Sequence, residues 1–165
     1  MAAPATGRPV RLIDASRIEA PGGKAWRLHL CFASQEGRMV EAAITPIRHG
    51  ERLDRLAFQP GEIRIGDRGY PQPDGLRATR EAGADAPALI PLTSLEAKEF
   101  PVRRLGTLYR VRWQIELAFK RLKSLLHIDQ LRARNVDLTR VWLHPHLLFA
   151  LRIEQTVAEI DAIPS

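Results

Sequence analysis

Residues 100–129, FPVRRLGTLYRVRWQIELAFKRLKSLLHID, decide how the rest of the chain is read. The stretch predicts one long helix, because Pro101 suits a first helical turn and neither Pro nor Gly interrupts the pattern after Gly106. At about 100° per residue, Tyr109, Arg112, Glu116 and Lys123 fall within roughly 60° of one another. Leu108, Ile115, Phe119, Leu122 and Leu126 form an adjoining apolar stripe that suits packing on a core. One acid thus sits among two cations and a phenol, beside the buried face. The plain alternative is a partly buried Glu held by Arg and Lys at helical spacing.

The whole chain has 165 residues, 45% of them hydrophobic, which suits one folded domain with a real core and is short for two. Its net charge of +6 favours an acidic partner, nucleic acid before an anionic membrane surface. The cations are mostly Arg, whose planar fork suits phosphate. Cys31 is the single cysteine, which excludes an internal disulfide and a cysteine-based zinc site; in LHLCF it reads as a small core residue. No signal peptide or membrane span is evident, which points to the cytoplasm.

Upstream of the helix, residues 1–9 read as a flexible lead-in and 10–160 as the folded domain. VRLID (10–14) predicts a short buried strand ending in an acid. WRLHLCFA (26–33) and MVEAAIT (39–45), joined through Gln35-Glu36-Gly37, predict an antiparallel hairpin. A short helix is expected over 51–58, a fourth strand at EIRIG (62–66) with Asp67 directly after it, a helix over 73–82 stopped by Gly83, and a fifth strand over 87–92. After the central helix, one more is expected from 135–137 through Trp142, Leu147, Leu148, Leu151, Ile153 and Val157, with Pro145 early in it or kinking it. Three strands followed by alternating strands and helices imply an α/β fold, a mixed sheet of about five strands flanked by helices.

Acids at the ends of strands one and four are placed to meet where strand order changes direction, and Glu116 to complete a cluster. Asp14, Asp67 and Glu116 together would repel one another unless a cation neutralised them. Hard oxygen donors suit Mg²⁺ or Mn²⁺, and two such ions suit phosphodiester cleavage, with Arg112 and Lys123 on the phosphate backbone. Asp14 and Asp67 also have plain readings, as a strand cap and a turn acid. His29 reads as a core residue, and His144 and His146 as core or surface.

The spacing Tyr-two-Arg-three-Glu-six-Lys at Tyr109, Arg112, Glu116 and Lys123 resembles the signature of DDE transposases of insertion-sequence family four. LYRVRWQIELAFKRLKSLLHID is similar to that family's text around the signature, RLIDAS to its first catalytic Asp segment and IGDRGY to its second. The resemblance spans roughly residues 9–157. It implies an RNase H-like catalytic domain with Asp14, Asp67 and Glu116 as catalytic metal ligands. Two Mg²⁺ or Mn²⁺ ions would be held there, and Tyr109, Arg112 and Lys123 would contact DNA. It further implies cleavage and strand transfer on double-stranded transposon ends and target; a homodimer on DNA is one arrangement open to such a protein, and the sequence does not fix the oligomeric state. Two departures are expected: no N-terminal DNA-binding region before Asp14, and no β insertion ahead of the Glu helix. A shortened, inactive copy, a DNA-binding remnant and a stand-alone RNase H-like nuclease are the other readings.

Overall fold

The computed structural model describes residues 7–20, 24–67, 69, 70, 74, 77, 78, 81–83, 106, 107, 109–128 and 136–161. Four strands, β1 (Val10–Ala20), β2 (Lys24–Ala33), β3 (Arg38–Pro46) and β4 (Ile63–Ile65), form one mixed sheet in the order β3-β2-β1-β4. Two helices follow, α1 (Trp113–Leu126) and α2 (Val136–Asp161). The expected β2–β3 hairpin forms, with a register irregularity between Cys31 and Phe32. The expected fifth strand at 87–92 and residues 100–105 of the central stretch lie outside the described residues, as does most of the 73–82 helix, of which Asp74, Arg77, Ala78 and Glu81 are helical.

Period-two alternation sorts the strands between two apolar layers. Val10, Leu12 and Ile18 of β1 join Leu28, Leu30 and Phe32 of β2 and Ile63 and Ile65 of β4 on one face. That face packs on Ile115, Phe119 and Leu122 of α1 and on Leu143, Leu147 and Ala150 of α2. Each such fully buried side chain is worth about 1.5–3 kcal/mol over its exposed state. Ile13, Cys31, Leu53, Leu56 and Tyr70 make a smaller cluster on the other face. Cys31 is core, as expected, and burial pushes its thiol up to about 12.

The first strand is longer than expected: β1 does not stop at Asp14 but runs on to Ala20, because its antiparallel register with β2 extends from Arg11↔Ala33 to Ala20↔Lys24. What stops near Asp14 is a different pairing. β4 runs parallel to β1 for only three residues, Val10↔Ile63 through Leu12↔Ile65.

The expected helix over 51–58 is reduced to a single 3-10 turn, Leu53–Arg55, flanked by extended residues Arg52 and Leu56. The cause is Arg64, fully buried on β4. Its Nη1 donates to the carbonyls of Leu53 (2.6 Å) and Leu56 (3.0 Å), and its Nη2 to that of Ala57. Those carbonyls serve the guanidinium in place of a helical ladder. Nε donates to buried Glu62 at 2.5 Å, and Phe58 lies under the guanidinium, 4.0 Å from its carbon to the ring centre.

The central helix is likewise shorter and interrupted. Arg112, Gln114 and Ile115 donate their N–H groups to the carbonyls three residues back, at 2.9, 3.0 and 3.1 Å, so the chain tightens at Val111–Arg112 before α1 begins. It ends at Leu126, not at Asp129: His127 adopts the left-handed conformation (φ 49°, ψ 37°) and donates to the Lys123 carbonyl, and fully buried Ile128 anchors the exit. α2 continues through Pro145, whose missing N–H leaves the carbonyl of solvent-facing Val141 without its helical donor. Leu148 and Ile153, expected to pack, face solvent.

Candidate functional site

Register alone brings two of the acids together. Leu12 and Ile65 are partners in the parallel pair, Asp14 lies two residues further on in β1, and Asp67 lies two residues beyond the end of β4. The two aspartates therefore stand side by side where β4 leaves the sheet and β1 continues. Asp67 is fixed by its own turn: its Oδ1 accepts the Gly69 N–H at 2.7 Å, and its carbonyl accepts that of Tyr70 at 3.3 Å. Asp14 Oδ1 accepts the N–H of Ala15 at 2.8 Å.

Asp14 carries a costly charge. Its carboxyl is raised to about 6, first by burial, and further by Asp67 and Glu51; the Ala15 N–H and Arg112 act against this. The nearest answering cation is Arg112, whose Nη1 lies 3.6 Å from Asp14 Oδ2. Its Nη2 donates to Glu116 Oε1, one helical turn further along α1. Arg112 thus stands between Asp14 and Glu116. Glu116 is half exposed and is linked to Asp14 through that guanidinium. Among the described residues, no three acidic, histidine or cysteine side chains are grouped about one ion position.

The tightened turn explains the placement of Tyr109. Residues three apart eclipse in such a turn, and the Arg112 guanidinium carbon lies 5.7 Å from the Tyr109 ring centre. Tyr109 packs partly into the helix-side core, and Lys123 lies two turns beyond Glu116, half-buried. Tyr109, Arg112, Glu116 and Lys123 accordingly follow one another along the stretch whose Arg112 reaches Asp14.

Two residues of this neighbourhood have no signature in the sequence. Glu51 arrives from the loop after β3, held by Arg27 of β2 with Nη1 3.2 Å from Oε1, and its carboxyl is raised by burial and then by Asp67. Tyr70 is buried against Gly66, where any side chain would meet the tyrosine ring at 3.0 Å. The GDRGY segment signals a turn acid and not these neighbours. His29, expected in the core, is buried with Nε2 2.9 Å from Thr45 Oγ1, and burial lowers its imidazole to about 4.

The donor set suits a hard divalent cation. Asp14, Asp67 and Glu51 are oxygen donors whose mutual repulsion and burial leave them short of positive charge. These three are the described residues here whose oxygens could hold such an ion, while Glu116 is engaged by Arg112.

The chain was compared with known proteins. Residues 5–151 match the family model for the transposase DDE domain. The chain is also 28% identical over 247 residues to the transposase for insertion sequence element IS421 of Escherichia coli, covering 92% of this chain and 67% of that protein. The InsL protein of insertion sequence element IS186A from Escherichia coli strain K12 matches to the same extent. The aligned length exceeds the chain's own 165 residues, so these relatives carry further residues inside the matched span. No solved structure matches. With the family model covering most of its length, the chain belongs to the transposase DDE domain family, and its function is that of a DNA transposase.

Proposed function

We propose that this domain is the catalytic core of a transposase of insertion-sequence family four, with an RNase H-like fold over residues 10–160. It cleaves and joins DNA strands with divalent metal ions held by Asp14, Asp67 and Glu116. The observation that carries this reading is the placement of Asp14 and Asp67 two residues beyond the Leu12↔Ile65 pair, with Arg112 ion-paired to both Asp14 and Glu116. The family's general use of divalent metal ions supports the cofactor, Mg²⁺ or Mn²⁺, and two ions suit phosphodiester chemistry.

Bound there, such ions supply charge neutralisation at the scissile phosphate and lower the pKa of the attacking oxygen. The protein's own part is to bind and orient. Asp14 and Asp67 fix the metal position through the sheet. Arg112, released from Asp14 and Glu116, donates to a backbone phosphate in a bidentate fork; Tyr109 holds its guanidinium from below, and Lys123 contacts a second phosphate. Glu116, freed by the same exchange, would be available as a further oxygen ligand. The substrate is double-stranded DNA, transposon ends and target, engaged in the cytoplasm by a homodimer.

The test is nicking of supercoiled plasmid in Mn²⁺ by the wild type and by Asp14→Asn, Asp67→Asn and Glu116→Gln. Nicking by the wild type alone is expected. Equal nicking by all four proteins defeats the assignment of these acids.

A further inference from the structure

Asp67 has a second acidic neighbour besides Asp14, and the lack of a side chain on Gly69 lets both carboxylates close on it. A methyl carbon placed on Gly69 would lie 2.3 Å from Glu51 Oε2 and 3.1 Å from Asp67 Oδ1. The two carboxylate oxygens are therefore no farther apart than those two distances laid end to end, with only the missing side chain between them. Each carboxylate is anchored by one interaction and keeps capacity to spare. Glu51 binds Arg27 through Oε1, which leaves Oε2 for the gap. Asp67 accepts the Gly69 N–H on Oδ1 and keeps Oδ2 for a further partner.

A second observation concerns the residue after Gly69. Tyr70 is 2% exposed, and its hydroxyl finds no hydrogen-bond partner among the described residues. It lies in the field of Asp14, Glu51 and Asp67, which together with burial raises it. Buried hydroxyls are almost always satisfied. An unspent donor beside three carboxylates fits a site that holds something more than the protein supplies.

We propose that Glu51 is an additional ion ligand of this transposase site, sharing with Asp67 a divalent-cation position beside Gly69. The proposal rests on the metal-dependent reading above. Magnesium-class ions take only one or two carboxylates and fill their remaining positions with water and phosphate, so a two-carboxylate position is sufficient. It needs no movement of Arg112, in contrast to the position that Glu116 completes. The Tyr70 hydroxyl then orients a ligand oxygen, as outer partners do in metal sites. One ion can thus be held by Asp67 and Glu51 before DNA arrives, and the position that Glu116 completes with Asp14 and Asp67 gains its third ligand once phosphate has taken Arg112.

The experiment is a Mn²⁺ titration of the DNA-free protein, read by the electron paramagnetic resonance of free Mn²⁺, with a thermal melt of each protein without ion. Glu51→Gln is expected to lose the tightest Mn²⁺ or weaken it by about 10-fold or more, and to melt without ion at or above the wild-type temperature. Glu116→Gln is expected to titrate like the wild type. Gly69→Ala fills the gap at the far end of a flexible carboxylate and is expected to weaken Mn²⁺ as Glu51→Gln does; it decides the matter if Glu51→Gln does not fold. Wild-type affinity and ion number in both Glu51→Gln and Gly69→Ala overturn the role of Glu51, and a lowered melt without ion then marks it as a structural partner of Arg27. A wild type that takes up no Mn²⁺ at millimolar concentration overturns the metal-dependent reading itself, and this inference with it.

Discussion

Arg64 and Arg112 each hold a glutamate, and they do opposite work. Arg64 is fully buried and committed to the fold: it binds Glu62, takes the carbonyls of Leu53, Leu56 and Ala57, and lies on Phe58. Arg112 is about one-fifth exposed and bridges Asp14 and a half-exposed Glu116. The first has no donor to give a ligand without breaking the fold. The second holds two acids that other cations can serve, and solvent reaches it. The contrast teaches that burial and saturation, not the ion pair as such, separate an arginine that builds from one that can be exchanged.

The largest expected effect is at Arg64. Arg64→Met strands buried Glu62 and three carbonyls, and a loss of about 3–5 kcal/mol is expected in a urea denaturation curve. A loss below about 1 kcal/mol breaks the comparison, because Arg64 would then be no more structural than a surface pair.

Next comes Asp14, on the exchangeable side. Its carboxyl sits at about 6, above the usual 3.8, so its ionised form costs stability at pH 7.5. Asp14→Asn is expected to raise the stability of the ion-free protein by up to about 3 kcal/mol there. The advantage should shrink as pH falls through 6 towards 4, because the wild-type carboxyl then takes up its proton in the folded state and no longer pays that cost. His29 pulls the other way in both proteins. The unfolded chain protonates near 6.5 and the folded one only near 4, so acidification over that window lowers the stability of each and cancels in the difference. Paired melts across pH 4–8 measure it, and an advantage that does not change with pH removes the burial argument.

Arg112→Ala should change stability by no more than about 1 kcal/mol. It should weaken duplex DNA binding and reduce the slope of log affinity against log salt by about 1. A large loss of stability would make Arg112 another Arg64. The smallest effect is at Lys123: Lys123→Ala should stay within about 0.5 kcal/mol of wild type in the same melts, with a weaker fall in DNA affinity than at Arg112.

Much of this arrangement was legible in the chain, and the exceptions are instructive. The apolar stripe Ile115, Phe119, Leu122 and the hairpin at 26–45 follow from periodicity, which reports burial directly. The missing helix at 51–58 was not legible. Its residues have helical spacing, but a single guanidinium from β4 takes their carbonyls, and no local pattern announces a partner that distant in sequence. Asp14 was read as a strand end because the sequence shows one strand at a time, while the observed end belongs to a pairing with β4. Tyr109, Arg112, Glu116 and Lys123 were visible as a helical row, although the tightened turn at Arg112 was not. Glu51 was invisible for the same reason as the 3-10 turn: a loop after β3 carries it to residues far along the chain.

The three-residue pairing of β1 with β4 has a consequence in time. The β1–β2–β3 hairpins join neighbours in sequence, whereas β4 must close a long loop to reach β1, and that closure costs entropy before its few bonds repay it. The bonds on offer there are few: Ile63 N–H to the Pro9 carbonyl at 2.8 Å, the Arg8 side chain to the Gly61 carbonyl at 2.7 Å, and the short ladder itself. β4 should therefore be the last strand to dock and the first to open, and each opening parts Asp14 from Asp67 while the hairpins stay intact. Native-state hydrogen exchange should show the Ile63 amide exchanging well before those of Leu28 and Leu30, and an ion held between the two aspartates should slow Ile63 while leaving the hairpin amides unchanged.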